Sequence, residues 1–286
     1  MKLEKKSYQL ILVIFLSAFL YLIGNNLIAL TDPDEVFYTL TTKEMLLNKS
    51  FLTPMIFNEP HFEKPPLTFW LMMASFKIFG MNAPAARLIP AIFGFLGVVG
   101  TYLFLRKIFG EKIAFYSSLV LSTSILYIGL SKAVLTDMVF SVFVFFSFYA
   151  FYLWYKKSEK NLNLFAISLA LAVLTKGPVA VAILFLGVGL FLALSKEWRI
   201  LKTFLLNRWW FVFLIVSLPW YIYVAVKYGK VFFDEFIIND NWRRILFAEH
   251  KNFDKWYFYP AVIFVGAFPW TFYFLTCGAN FKKYKK

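Results

Sequence analysis

Charged residues and cysteine are both scarce in this sequence. Charged residues occupy 16% of its 286 positions and apolar residues 60%, whereas a soluble domain is about one quarter charged. So few charges cannot cover a soluble surface, and the chain is therefore predicted to be an integral membrane protein. The single cysteine, Cys277, excludes an intramolecular disulfide and any cysteine-rich metal site. Low-complexity tracts, Gly/Ser linkers and evident internal repeats are also missing.

The sequence contains several long runs of apolar residues. A membrane-spanning helix needs about 20 mostly apolar residues. The first run, Tyr8–Leu30, is too long for a signal peptide and is followed by no small-x-small cleavage site, so it is predicted to be a retained anchor. The runs together predict an all-α, polytopic membrane protein of about eight transmembrane helices, at 8–30, 83–105, 112–131, 134–155, 161–175, 178–195, 208–227 and 257–277.

The sequence has 30 basic and 16 acidic residues, and the basic residues are distributed unevenly. With the N-terminus in the cytoplasm, the segments on that side carry 17 of the 30 basic residues but only four of the acids. The positive-inside rule then predicts a multi-pass protein of the inner or plasma membrane with both termini in the cytoplasm. Because topology accounts for the basic excess, nucleic acid is not needed as a partner.

Two predicted external segments are too long to be simple connections. They are external loop 1, residues 31–82, and external loop 2, residues 228–256. Amphipathic stretches in external loop 1 predict surface helices at Asp34–Leu47 and Pro65–Phe79. Connections of this length usually carry function.

Ionisable side chains from five separate segments are predicted to meet at the external membrane boundary. Charges near hydrocarbon are costly and usually face a cavity, a partner or a substrate. Each also has a structural interpretation: Asp34 would cap a helix, and Asp137 would pair with Lys132 or Lys176. Their convergence favours a site, and its candidate residues are Asp34, Glu35, His61, Glu63, Lys64, Asp137, Lys176, Arg243, Arg244 and His250.

The mixture of cations and carboxylates indicates a chemistry. Lys64, Lys176, Arg243 and Arg244 suit a phosphate group, which arginine binds in a bidentate manner and lysine as a point charge. A carboxylate beside them suits a general base, or a group that stabilises positive charge on a sugar. Apolar grooves between helices suit a lipid tail. Together these features predict a lipid-linked phosphate donor whose head group is transferred outside the membrane.

The same residues belong to an ordered series of motifs. They are Asp34-Glu35-Val36-Phe37-Tyr38, Phe62-Glu63-Lys64-Pro65-Pro66, Ala86-Arg87-Leu88-Ile89-Pro90, Leu135-Thr136-Asp137-Met138, Leu174-Thr175-Lys176-Gly177-Pro178 and Trp242-Arg243-Arg244. In these motifs the sequence resembles the ArnT-like (aminoarabinose transferase) and protein O-mannosyltransferase superfamily, whose fold is called GT-C. The resemblance covers nearly the whole chain.

The resemblance implies a reaction and roles for the acids. Members transfer a sugar, with inversion, from a polyprenyl-phosphate carrier on the external face of the membrane. The acceptor here would be lipid A, a protein or another envelope glycan. Asp34 would be the catalytic carboxylate, supported by Glu35, and Asp137 would be a second acid near the acceptor.

The resemblance also implies how the donor is held. Lys64 and one of Arg243 or Arg244 would bind its phosphate, Arg244 matching slightly better. Because cations alone can hold a lipid monophosphate, no cofactor is predicted to be required; a divalent metal is possible but is not indicated. The remaining residues of the cavity would be Lys176, Glu63, Tyr38, His61 and His250.

Length separates this sequence from those enzymes, which are usually longer and end in a soluble domain. The chain is therefore expected to be one catalytic module over 1–286 without a C-terminal soluble domain. A partner chain would supply the missing C-terminal half. Two other classes stay open: a transporter or flippase of a lipid-linked anionic substrate, and an inactive scaffold subunit of a glycosyltransferase complex.

Overall fold

The computed structural model describes residues 2–30, 33–156, 161–244, 247, 255–273 and 276. Contacts divide the chain into two compact units. The first unit comprises 1–28, 90–133 and 248–286, and the second unit comprises 29–89 and 134–247. The expectation of one catalytic module over 1–286 stays a prediction.

Helices make up almost all of the regular structure, which confirms the all-α prediction. The exception among the described residues is a two-stranded antiparallel hairpin in which Met55 pairs with Pro60. In chain order the elements are α1 (Lys2–Leu22), α2 (Pro33–Leu47), β1 (Met55–Ile56), β2 (Glu59–Pro60), α3 (Leu67–Phe79), α4 (Ala83–Phe109), α5 (Glu111–Thr123), α6 (Ile125–Lys132), α7 (Asp137–Tyr155), α8 (Asn161–Lys176), α9 (Val179–Ser195), α10 (Arg199–Leu205), α11 (Trp210–Tyr228), α12 (Lys230–Phe232), a π-helix (Phe233–Arg243) and α13 (Phe258–Gly266).

The prediction of eight transmembrane helices is wrong by this count. Over the described ranges, three helices are long and apolar enough to cross a membrane, namely α4, α7 and α11. A fourth results if α5 and α6, which meet at a bend of 62°, count as one span.

Within the described residues, the other predicted spans form helices that are too short. The apolar part of α1 covers Tyr8–Leu22, α8 and α9 have 16 and 17 residues, and α13 has nine. Hydropathy does not mark where a helix stops. The chain leaves α1 through Gly24, whose φ is +83°, so the predicted first span 8–30 is divided by a turn.

The core of the second unit is formed by α7, α8, α9 and α11. Ala150, Ala172 and Ala180 are fully buried, and such small side chains allow helices to approach closely. Phe151 and Leu169 are buried beside them and fill the space between the helices. Because α7 and α8 are consecutive antiparallel helices, the start of α7 and the end of α8 lie at the same end of the unit.

External loop 1 contains both helices that the sequence predicts, and their position along the membrane surface stays a prediction. Helix α2 begins at Pro33, whose fixed φ suits a first helical position, and Asp34 and Glu35 follow in the first turn, where the helix dipole favours acids. Tyr38 and Met45 are buried on one face of α2. Helix α3 begins at Leu67, two residues later than predicted, after the two prolines.

Candidate active site

Asp137 and Lys176 form an ion pair at one end of the second unit. Asp137 begins α7 and Lys176 ends α8, the positions at which a helix dipole favours an acid and a base respectively. Lys176 Nζ lies 2.7 Å from Asp137 Oδ1, and the two side chains are 29% and 40% exposed. The pair is therefore accessible to a ligand. Lys132, the alternative partner, lies in the first unit and donates to the carbonyl of Ile23.

A second cluster joins external loop 1 to the π-helix. Lys64 Nζ donates to both carboxylate oxygens of Asp240 at 2.9 Å, and Arg244 lies 3.0 Å from Oδ1 of the same residue. Lys64 and Asp240 are 5% and 7% exposed. The third donor of Lys64 contacts the carbonyl of Glu63 at 3.3 Å. One buried carboxylate thus holds two of the cations that the sequence assigns to phosphate.

The π-helix that carries Asp240 is anchored in the core of the second unit. Phe232 and Phe236 are buried against Phe62 and Trp220. Glu235, in the first turn of the π-helix, accepts a hydrogen bond from the backbone N–H of Phe62 at 3.0 Å. Packing and hydrogen bonding therefore fix the segment before Lys64 to the segment that presents Asp240.

Glu63 adds a negative charge beside Lys64 and Arg244. The adjacent His61 imidazole, and then Lys64 and Arg244, hold the pKa of the Glu63 carboxyl below its ordinary value, against the opposite effect of partial burial. His61 Nε2 lies 3.9 Å from Glu63 Oε2, which is a contact rather than a hydrogen bond. Glu63 therefore stays ionised at neutral pH, beside the cations.

Tyr38 lies among the carboxylates that the sequence singles out. Burial, and then the negative charges of Asp34, Glu63 and Asp137, raise the pKa of its phenol far above the ordinary value. The phenol is therefore neutral at physiological pH and retains its proton for donation. The same effect shows that these three acids are close enough to Tyr38 to act on it electrostatically.

Glu35 faces a different environment from its neighbour Asp34. Arg87 binds it in a bidentate manner, with Nε 3.0 Å from Oε1 and an Nη 2.7 Å from Oε2, and the backbone N–H of Val134 also donates to Oε1. Glu35 and Arg87 are both buried. This network fixes the first turn of α2, whereas Asp34 in the same turn is exposed.

The remaining candidates are less centrally placed. Arg243 is exposed and donates to Asn239 at 3.2 Å, so the structure separates it from Arg244, which binds Asp240. His61 packs edge-on against Phe37, with ring centroids 5.2 Å apart. His250 lies outside the described residues. In the described part of the chain, no group of three His, Cys, Asp or Glu side chains is arranged to hold a metal.

The site thus places neutral, anionic and cationic groups side by side. Lys64, Arg244 and Lys176 offer positive charge for a phosphate, although each is now paired with a carboxylate. Asp34 offers an accessible carboxylate on a helix turn fixed through Glu35. This combination suits the transfer of a group from a phosphate to a nucleophile.

The fold and these groups define a multi-pass, all-α membrane protein with the GT-C type of architecture. Residues 63–223 match the dolichyl-phosphate-mannose-protein mannosyltransferase family. The chain belongs to this family of membrane glycosyltransferases, which confirms the resemblance seen in the motifs.

Individual relatives show how far the similarity extends. The chain is 32% identical over 280 residues to an uncharacterized protein of Aquifex aeolicus, covering 94% of this chain and 53% of that protein. It is 31% identical over 296 residues to the undecaprenyl phosphate-alpha-4-amino-4-deoxy-L-arabinose arabinosyl transferase of Wigglesworthia glossinidia brevipalpis, covering 100% of this chain and 52% of that enzyme. The chain therefore spans about half the length of these curated relatives.

A solved structure shows the same fold. The crystal structure of ArnT from Cupriavidus metallidurans bound to undecaprenyl phosphate superposes with a TM-score of 0.82, at 20% sequence identity. The match covers 94% of this chain and 50% of that one. The shared architecture is thus that of one half of a longer GT-C protein.

The sequence alone did not identify the roles of two residues of the site, Asp240 and Arg87. Asp240 is 176 residues from Lys64, and Arg87 is 52 residues from Glu35. Arg87 belongs to one of the motifs, but the motif does not show that it binds Glu35. Neither the Arg87–Glu35 pair nor the Lys64–Asp240 pair has the spacing of neighbours on a helix or a strand. Asp240 had one local signal, its position four residues before Arg244.

Proposed function

We propose that this protein transfers a sugar from a polyprenyl-phosphate carrier to an envelope acceptor, namely lipid A, a protein hydroxyl or a glycan. The observation that carries the proposal is the binding of Lys64 and Arg244 to Asp240, with the Glu63 carboxylate near both cations and Tyr38 among the carboxylates of Asp34, Glu63 and Asp137. Family membership supports it, as do relatives whose names describe arabinosyl transfer from undecaprenyl phosphate. Reaction on the external face of the inner or plasma membrane follows from the positive-inside rule.

The donor phosphate would be held by Lys64, Arg244 and Lys176. Lys64 already uses its three donors within the protein, so a phosphate would have to take at least one of them from Asp240 or Glu63. The donor phosphate is a diester with one negative charge, so it can take the place of a carboxylate at such a cation without changing the balance of charge. We therefore infer that donor binding exchanges one anion for another at Lys64.

Asp34 would act on the acceptor. A hydroxyl oxygen attacks the anomeric carbon, the bond from that carbon to the phosphate oxygen breaks, and the polyprenyl phosphate leaves with the bonding electrons. Asp34 accepts the hydroxyl proton. If the acceptor is a phosphate, no base is needed, and Asp34 orients the acceptor or stabilises positive charge on the sugar.

The other acids and rings would position these groups. Glu35, bound by Arg87, fixes the turn that carries Asp34. Asp137 would lie near the acceptor, with Lys176 as its counterion. Tyr38 would donate a hydrogen bond to a ligand bound in the cavity. Glu63 and His61 would hold the side chains at the entrance of the cavity in place. His250 and Arg243 are proposed on the family resemblance alone.

The acceptor-binding part is proposed to lie outside these 286 residues, in sequence that the relatives contain and this chain does not span. A partner chain is one way to supply it. No metal or cofactor is proposed for the reaction.

Purified protein in liposomes would test the proposal. Transfer of labelled sugar from a polyprenyl-phosphate donor into lipid A or a model hydroxyl acceptor is the expected result. Translocation of the donor lipid without transfer would indicate a flippase instead. Neither activity, with envelope glycolipids and glycoproteins identical by mass spectrometry in cells with and without the gene, would indicate a scaffold subunit.

A further inference from the structure

A cavity of about 910 Å³ lies in the second unit, away from the candidate active site. It is formed where α7 ends, where α8 begins, and along α10 and the start of α11. Trp154, Asn163, Lys202, Leu206 and Arg208 are among its lining residues. None of the candidate active-site residues belongs to it.

The cavity and the candidate active site lie at opposite ends of the same helices. Asp137 and Trp154 are near the two ends of α7, and at 1.5 Å per residue the helix rises about 26 Å between them. The hydrocarbon core of a bilayer is about 30 Å thick. The cavity is therefore placed at the membrane boundary opposite to the candidate active site.

Two cations face this cavity without an acidic counterpart in the described part of the second unit. Lys202 and Arg208 both line it, and neither forms an ion pair within the described ranges. The Arg208 guanidinium lies over the ring of Trp209, 4.9 Å from the centroid. Stacking holds a guanidinium by its face and leaves the N–H groups at its edge for a phosphate.

A buried acceptor adds a second requirement to the ligand. Asn163 lines the cavity, and its Oδ1 is buried with no hydrogen-bond partner in the described structure. Because a buried polar atom without a partner costs free energy, rotation of the partly exposed Asn163 side chain towards the cavity, where Oδ1 can accept a hydrogen bond from a ligand, is favoured. Phosphate oxygens cannot donate when ionised, whereas a hydroxyl group can.

Apolar side chains complete the recognition pattern. Leu206 is 75% exposed beside the cations, and the indoles of Trp154 and Trp209 line the same cavity. Indole rings favour the interface between head groups and acyl chains. The site therefore combines phosphate-binding, hydroxyl-binding and acyl-contacting groups within one cavity.

We propose that this cavity binds the head group of an anionic phospholipid in the leaflet opposite to the candidate active site. The phosphate contacts Lys202 and Arg208, a head-group hydroxyl donates to Asn163, and the acyl chains leave past Leu206. The proposal does not depend on the sugar-transfer reaction, because the two sites share no residue.

Native mass spectrometry of the full chain in detergent tests the site, with phosphatidylglycerol as the probe. Lys202→Gln and Arg208→Gln are each expected to weaken its binding roughly fivefold, the effect of one cation near an anionic lipid surface. Arg199→Gln is the matched control, because Arg199 lies in α10 with the same charge and does not line the cavity. It is expected to bind phosphatidylglycerol like the wild type.

A variant at Asn163 tests the hydroxyl contact. Asn163→Ala is expected to weaken phosphatidylglycerol binding and to leave binding of phosphatidylmethanol unaffected, because phosphatidylmethanol is a phosphodiester of the same charge without a head-group hydroxyl. Equal weakening by Arg199→Gln would show general attraction to a basic surface and would overturn the proposal. Binding of inorganic phosphate with the same affinity as the lipid would also overturn it, in favour of a free-anion site. Because Lys202 and Arg208 are exposed, their variants are expected to fold.

Discussion

Asp240 is the carboxylate on which the proposed phosphate site depends, since it binds both Lys64 and Arg244. Asp240→Asn keeps the side chain's size but removes its charge. It leaves the buried Lys64 without the carboxylate that binds it, which is expected to cost about 3 kcal/mol of folding stability. Polyprenyl phosphate would replace the lost anion. The rise in unfolding temperature on adding polyprenyl phosphate is therefore expected to be larger in Asp240→Asn than in the wild type.

Asp234→Asn is the matched control for this experiment. Asp234 lies in the same π-helix and makes no ion pair within the described structure. Its substitution is expected to change neither stability nor the response to polyprenyl phosphate. An equal response in wild type and Asp240→Asn would show that the ligand does not use the cations around Asp240.

Asp34→Asn separates catalysis from a structural role in the first turn of α2. Because Asp34 is exposed and lies after Pro33, loss of its charge removes only an interaction with the helix dipole of about 0.3–1 kcal/mol, so folding and donor binding are expected to remain nearly unchanged. Loss of a general base is expected to lower sugar transfer roughly 100-fold or more. Turnover in liposomes and donor binding would be measured on the same preparation. Near wild-type transfer would refute the catalytic role and leave only the structural one.

Single residues differ in how far the sequence reveals them. Asp137 and Lys176 stand out because each is an isolated charge in an apolar segment, and their pairing was one of two expected arrangements. Asp240 could not be found in this way, because it lies in a polar segment with many equivalent side chains. Its contact with Lys64 depends on packing between two distant segments.

Secondary-structure elements also differ in whether local sequence or tertiary packing determines them. Helix α2 begins within one residue of its predicted position because Pro33 and the following acids mark its start. The π-helix Phe233–Arg243 was not predicted, since its hydrogen bonds to the fifth residue have no simple apolar pattern. Its position is set by Phe232 and Phe236, which are buried in the core of the second unit.

The π-helix approaches the turn between α8 and α9 at Gly177. Its φ is +86°, and a Cβ there would lie 2.8 Å from Cζ of Phe236. Gly177→Ala is therefore expected to destabilise the protein by about 1–3 kcal/mol and to weaken binding of polyprenyl phosphate by displacing the π-helix. Thermal unfolding and donor binding would be measured together.

Gly189→Ala is the control for this variant. Gly189 lies within α9, and a Cβ there would meet no atom within 4 Å. Alanine favours a helix over glycine by about 1 kcal/mol, so this change is expected to be neutral or stabilising. If Gly177→Ala behaved in the same way, the close approach to Phe236 would not constrain the site.

For the whole molecule, composition was enough to predict a membrane protein but not its number of spans. Sixty per cent apolar residues exclude a soluble surface regardless of the fold. The count of eight failed because a run of apolar residues does not show where a helix ends: α8 and α9 stop at 16 and 17 residues, and α13 stops at nine. The sidedness predicted from the basic residues rests on the same layout of eight spans, and it can be measured directly.

Single cysteines in a Cys277→Ser background would test that sidedness. Glu59 and Lys107 are both exposed, and they lie in segments predicted to be external and cytoplasmic respectively. Because basic residues such as Lys107 resist translocation, Glu59→Cys is expected to react with an impermeant thiol reagent in intact cells, and Lys107→Cys only after lysis. This result would place the second-unit groups that bind Lys64 on the external side, where a lipid-linked sugar would be used. Labelling of Glu59→Cys only after lysis would reverse the topology, and with it the face on which transfer is proposed.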